Sequence, residues 1–347
     1  MNNTTELLNL AANNIRILAA AAVEKAKSGH PGGAMGGADF INVLFSEFLE
    51  YDPENPAWEA RDRFFLDPGH MAPMLYAQLC LAGKFTLEDL KNLRQWGSVT
   101  PGHPERDIER GIENTSGPLG QGHTFAVGAA IAAKFFNARY GEVHNPTIYA
   151  FISDGGVQEE ISQGAGRMAG TLGLDNLIMF YDSNEVQLST MCREVTTEDV
   201  AAKYKAWNWF VQQINGNDPA AIREALKAAK AEKERPSLII GHTIMGKGCV
   251  TAEGESFESK CSTHGNPLSK SGASFERTIA NLGGDPADPF QIFPEVAKLY
   301  ENRAAELREL ANKRYAAYYE WKQAHPQSAN EYETYMSGEM PCIDWSL

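Results

Sequence analysis

Asp154, Gly155, Gly156 and Asn184 are the residues whose types and spacing suggest chemistry. Asp154 offers a carboxylate oxygen and Asn184 a neutral amide oxygen. Mg2+ takes about six hard oxygens, usually one or two from protein and the rest from phosphate and water. Gly155 and Gly156 let backbone N–H groups approach an anion, and a helix after them adds its positive end. The set suits a Mg2+–diphosphate. Asp-Gly is also ordinary turn chemistry, so turn capping alone would explain an isolated Asp-Gly-Gly. The second polar position at Asn184 shifts the balance toward a metal without deciding it.

Histidine supplies the other candidates. Six of the eight adjoin a glycine: His30, His70, His103, His123, His242 and His264. A loop imidazole can donate to diphosphate oxygens or sugar hydroxyls and move protons near neutral pH. For each one, a hydrogen-bonded loop histidine without a role is the plain alternative. No His-x-x-x-His or Cys/His spacing points to a zinc site.

The elements that must position these residues follow from hydrophobic periodicity. Apolar runs at 149–152 and 177–181 flank an amphipathic segment at 157–172, which reads as strand, glycine turn, helix, strand. Asp154 and Asn184 then sit at the carboxyl ends of the two strands, where an open parallel sheet binds ligands. Further strands are expected at 63–66, 209–214 and 237–244. Helices are expected from Thr4 or Thr5 to 27, and at 37–48, 71–82, 87–96, 121–140, 197–206, 218–233, 273–282, 294–325 and 327–337. Residues 28–33, 100–122 and 246–270 read as loops. The alternation predicts an α/β fold, a parallel sheet covered by helices on both faces. The expected division is an α/β domain at 1–285 and a helical C-terminal extension at 286–347.

Composition narrows the function. The chain has 347 residues, 43% hydrophobic and 22% charged, with net charge −14. The negative balance argues against nucleic acid and anionic membrane as partners, and leaves a phosphate to local donors. No apolar run reaches the ~18–20 residues of a membrane span, and the N-terminus lacks a secretory signal. Five cysteines without a C-x-x-C spacing fit reduced thiols in the cytoplasm.

Asp154-Gly155, with Glu159 and then Asn184-Glu185-Val186 about thirty residues on, resembles the thiamine-diphosphate motif. More narrowly, the run from Asp154 to Glu159 and Tyr181-Asp182-Ser183-Asn184 resemble transketolase. So do Ser28-Gly29-His30-Pro31-Gly32, Thr100-Pro101-Gly102-His103-Pro104-Glu105, Gly117-Pro118-Leu119-Gly120-Gln121-Gly122 and His264-Gly265-Asn266-Pro267-Leu268. Order and spacing fit the family over about residues 10–340.

The resemblance implies the thiamine-diphosphate-binding fold and an enzyme moving a two-carbon ketol unit from a ketose to an aldose. Asp154 and Asn184 would bind Mg2+ through side chains and Val186 through its carbonyl. Gly155 and Gly156 would face the diphosphate, and Gly117 and Leu119 would lie beside the cofactor ring. His30, His70, His103 and His264 match the family's active-site histidines. These line the thiazolium and diphosphate region and contact the donor sugar, with His103 on the hydroxyls at the reacting end. Glu159 would stand one layer out from the cofactor, and Asp182 would be a nearby polar support. His123 and His242 match no catalytic position.

Three departures from the family stand out. Ser153 replaces the first glycine of Gly-Asp-Gly, and Lys247 stands where an aromatic is frequent. The third is length. Family enzymes continue into a pyrimidine-binding domain that supplies the glutamate acting on the aminopyrimidine and most of the sugar-phosphate grip. The resemblance therefore implies one half of a split transketolase, joined to a C-terminal subunit in an α2β2 assembly. A non-catalytic cofactor-binding or regulatory paralogue and an N-terminal fragment of a longer transketolase are the alternatives.

Overall fold

The computed structural model describes residues 3–338. Cys342, the end of the expected extension and the chain-end segment 340–347 lie outside the described residues.

Helix α1 (Thr5–Ala26) is capped by Thr4, whose hydroxyl accepts from the Leu7 N–H. Next come α2 (Pro31–Gly36) and α3 (Ala38–Val43), which continues into a π-helical turn at Leu44–Phe48. Strand β1 (Arg63–Leu66), α4 (Ala72–Leu81), α5 (Leu87–Lys91) and α6 (Gln121–Tyr140) follow. The central unit is β2 (Ile148–Ser153), α7 (Asp154–Gln158), α8 (Glu160–Leu172) and β3 (Leu177–Ser183). Then come α9 (Val200–Ala206), β4 (Phe210–Asn215), α10 (Pro219–Ala231) and β5 (Ser237–His242). Short α11 (Leu268–Ser271) and α12 (Phe275–Asn281) precede α13 (Pro294–Ala324) and α14 (Pro326–Ser337).

The five strands form one parallel sheet in the order β1-β2-β3-β5-β4. Because side chains alternate along a strand, the two faces bury different residues. Tyr149, Phe151, Ile178, Phe180 and Ile239 pack with α1, α3, α4 and α10. Ile148, Ala150, Leu177, Met179 and Leu238 pack with α6, α8 and α9. This is the covered parallel sheet expected. Val296, Leu299 and Tyr300 of α13 belong to the first of these cores, so a division at 285/286 runs between elements that share a core.

Several elements differ from expectation. Residues 31–33, read as part of a loop at 28–33, belong to a buried helix at 31–36. A Cβ on Gly32 would lie 2.4 Å from Met245 Sδ and 2.7 Å from the Thr263 carbonyl oxygen. Close packing accounts for that glycine, and Pro31 suits the first turn of a helix. The helix expected at 157–172 starts earlier, at Asp154, and breaks at Glu159, which is extended with ψ 136°. Helix α5 is shorter than expected, since Arg94 takes a left-handed φ of 61° and its N–H bonds the Thr100 carbonyl. β5 stops at His242, before the expected 244, and the loop expected at 246–270 contains the start of α11.

Candidate functional site

Register brings Ser153, Asp182 and Gly241, at the carboxyl ends of β2, β3 and β5, side by side. Ser153 has ordinary extended angles (φ −106°, ψ 174°), and its hydroxyl accepts from the Gly156 N–H. The serine thus caps α7.

Asp154, at the start of α7, is buried and held from three sides. Oδ1 accepts from the Tyr181 hydroxyl at 2.6 Å, and Oδ2 accepts from the N–H groups of Asn184 (3.2 Å) and Glu185 (3.0 Å). Glu185 is left-handed (φ 61°), so the chain curls over the carboxylate. Asn184 Oδ1 accepts from the Val186 N–H at 3.0 Å, and its Nδ2 donates to Asp182 Oδ2 at 3.0 Å. The Thr243 hydroxyl donates to the other Asp182 oxygen. Burial pushes the Asp182 carboxyl up to about 7, opposed by the Thr243 bond and reinforced by Asp154. Burial also raises Asp154, and its hydrogen bonds pull it back.

Asp154, Asn184 and Val186 line one cavity and carry between them a carboxylate, an amide oxygen and a main-chain carbonyl, the kinds of oxygen that Mg2+ prefers. Among the described residues no group of three or more His, Cys, Asp or Glu side chains could hold a metal. A metal here would therefore depend on the amide and the carbonyl as well as on Asp154.

Beside this set lies a cavity of about 220 Å3, lined by Gly33, His70, Leu119, Asp154, Gly155, Asp182, Asn184, Val186, Leu188, Met245 and His264 among others. A Cβ on Gly155 would come within 2.9 Å of Leu119 Cδ1. Gly156 sits behind the cavity and not on its wall: a Cβ there would meet Asp67 Oδ1 at 2.5 Å. Glu159 is exposed at the start of α8, outside the cavity lining.

His30, His70 and His264 form one group, with ring centroids 5.1, 5.2 and 5.7 Å apart. His103 is exposed at the rim, its Cγ 4.0 Å from where a Cβ on Gly117 would stand. Burial lowers all four. His30 falls to about 4, with His264, Arg94 and His103 adding to the effect, and His70 falls well below its usual value. At neutral pH they are uncharged, each with one N–H and one lone pair. His264 Nδ1 is buried without a hydrogen-bond partner, an orphan that a bound ligand would satisfy. The residues present therefore fit a metal–diphosphate cofactor.

His123 is buried against Tyr204 and Trp209, away from the cavity. His242 is exposed beside Gln213. Lys247 lies 3.8 Å from Asp39 and donates to the Asn217 carbonyl, joining Arg16 and Asp39 in a buried charge cluster. Sequence reading missed Leu188, Met245, Tyr181, Thr243 and Arg94. Tyr181 and Thr243 are the legible ones, polar groups at strand ends beside Asp154 and Asp182.

A family model described as transketolase, thiamine diphosphate binding domain, matches residues 8–341. The chain belongs to the transketolase family. It is 41% identical over 342 residues to Transketolase 2 of Escherichia coli, covering 96% of this chain and 50% of that protein. It is equally identical, over 348 residues, to Transketolase 10 of Craterostigma plantagineum, again with 50% of that protein covered. Transketolase from Leishmania mexicana superposes with a TM-score of 0.91 at 35% identity, covering 96% of this chain and 50% of that one. A Pichia stipitis transketolase solved with sedoheptulose-7-phosphate gives 0.91 at 33% identity, covering 97% and 49%. The chain thus spans about half the length of the transketolases it matches, and the fold is that of a transketolase thiamine-diphosphate-binding domain.

Proposed function

We propose that this chain is the diphosphate-binding subunit of a two-subunit transketolase, transferring a two-carbon ketol unit from a ketose or ketose phosphate to an aldose. The observation that carries the reading is that Asp154, Asn184 and Val186 line the same cavity as His70 and His264.

Asp154, Asn184 and Val186 would hold Mg2+, and Gly155 would admit the diphosphate. Leu119 and Leu188 would pack against the cofactor ring, while Asp182 orients the Asn184 amide through its 3.0 Å bond. Thiamine diphosphate, when bound, supplies the carbanion chemistry. His30, His70 and His264, uncharged, would donate to sugar hydroxyls or diphosphate oxygens, and His103 at the rim would meet the donor's reacting end. Glu159, exposed at the start of α8, would stand one layer out from the cofactor. Four described cysteines are free, in keeping with a place in the cytoplasm. Among the described residues no helix is long and apolar enough to cross a membrane.

In this reading the pyrimidine-binding domain comes from a second chain. Helix α6 buries one stripe on the sheet and exposes Phe125, Ile131 and Phe135; neighbouring α8 exposes Ile161, Met168 and Leu172. Exposed apolar patches of this kind mark interaction sites, which supports an α2β2 assembly. The test is co-expression with the adjacent reading frame. A pyrimidine-domain protein that co-purifies and confers ketol transfer supports the proposal. An active complex unaffected by Asp154→Ala would refute the site.

A further inference from the structure

Among the described residues, Arg94 is the cation placed against the histidine group. Its Nη2 lies 3.5 Å from His30 Nδ1, and its Nη1 donates to the Ser28 hydroxyl at 3.0 Å. Three features hold the guanidinium there. The Arg94 backbone is left-handed at φ 61°, an uncommon state for a non-glycine residue. Its N–H donates to the Thr100 carbonyl at 2.9 Å. Gly102 covers the guanidinium so closely that a Cβ would lie 2.8 Å from Nε and 3.0 Å from Cζ.

A guanidinium carries only donors. A hydrogen bond from Arg94 to His30 therefore needs the lone pair of Nδ1, and the ring proton must sit on Nε2. Nε2 is on the side of the histidine group: it lies 3.5 Å from where a Cβ on Gly265 would stand, next to His264. We propose that Arg94 is a positioning residue that fixes His30 as the neutral Nε2–H tautomer, so that His30 presents a donor, not an acceptor, to the bound sugar.

The fixed positive charge also opposes a second proton on the ring. His30 is lowered to about 4 by burial first, then by His264, Arg94 and His103. The groups facing His30 are His70, His264, His103 and Arg94. None is acidic, so no carboxylate stands beside the ring to draw its proton to Nδ1. Gly102 acquires a reason as well: it belongs to the Thr100-to-Glu105 motif because Arg94 must pass beneath it.

The tautomer stands on the geometry alone; its effect on turnover rests on the transketolase reading above. The two are tested separately. Nitrogen-15 histidine labelling of the full chain, with His30 assigned from a His30→Gln sample, reads the tautomer through long-range proton–nitrogen correlations. The expected result is Nε2–H in the unmodified chain, a mixed tautomer in Arg94→Ala, and recovery toward Nε2–H in Arg94→Lys. A His30 that carries its proton on Nδ1, or that is indifferent to Arg94→Ala in a folded chain, would overturn the proposal. In the reconstituted enzyme, Arg94→Ala should lower kcat/KM for the ketose donor about tenfold or more, the scale of losing a group that orients a functional imidazole. Thiamine diphosphate affinity should stay unchanged. Normal donor kinetics beside an altered tautomer would remove the role in turnover. An unmodified enzyme that transfers no ketol unit would sink the transketolase reading and leave the tautomer result standing.

Discussion

Asp154 is the residue on which the proposed metal site turns, because Tyr181, Asn184 and Glu185 all bond its two oxygens. Asp154→Asn keeps the shape and removes the charge. Titration of thiamine diphosphate with Mg2+ into the reconstituted complex should show affinity lower by at least about tenfold, as expected when a ligating group is weakened, with an unchanged melting temperature. Equal affinity would detach Asp154 from the metal. His103 belongs to the sugar in this account, since it stands at the rim and outside the cavity lining. His103→Ala should lower kcat/KM for the donor about 10²-fold, a typical general acid–base contribution, with little change in cofactor affinity. A reversed pattern would place His103 on the diphosphate. Although the same glycine signal also marked His123 and His242, which lie elsewhere, Asp154, Asn184, His30, His70, His103 and His264 were legible as candidates because strand ends and glycine loops announce themselves locally. Arg94 was not. It meets His30 from 64 residues away in sequence, inside a stretch that reads as plain helix.

At the scale of elements, glycines are used for close approach as much as for turns. Gly170 on α8 faces Trp207 so closely that a Cβ would fall 1.6 Å from its carbonyl oxygen. Gly170→Ala must push the backbone of one element, and overpacking of this kind costs about 1–3 kcal/mol or more. Denaturant unfolding should show that loss, and a variant as stable as the parent would mean that α8 shifts freely. The same packing explains what sequence alone concealed. Residues 31–33 look like a loop because glycine lowers helix propensity, yet burial outweighs propensity there. His123, on α6, tests how these buried layers respond to pH. Burial holds its imidazole at about 4, and neither ring nitrogen has a partner. Unfolding returns the ring toward 6.5, so between pH 6.5 and 4 the unfolded chain binds the extra proton. The contribution of His123 to stability is complete above pH 6.5 and falls as pH drops through that window, by up to ~1.4 kcal/mol per pH unit. Stability of the parent relative to His123→Phe should accordingly decline from pH 7 to pH 5. A constant difference would show that His123 titrates normally in the fold.

For the whole molecule, the parallel sheet and its two helical layers followed from alternation of apolar strands and amphipathic helices, which is why the fold could be read without coordinates. The stripe left over on α6 and α8 could not be read this way, because core and interface compositions are alike. Only the structure separates the Ala126 and Ala130 stripe on the sheet from Phe135 and Leu172, 50% and 53% exposed. Net charge −14 does not oppose assembly, since charge outside the contact is screened by salt beyond about 10 Å. The central claim is that this chain holds half of an active site. Its most direct test is a ketol-transfer assay on the purified chain with Mg2+ and thiamine diphosphate, before and after addition of the pyrimidine-domain partner. The account predicts no turnover from the chain alone and cofactor-dependent transfer once the partner is present. Turnover by this chain on its own would contradict it.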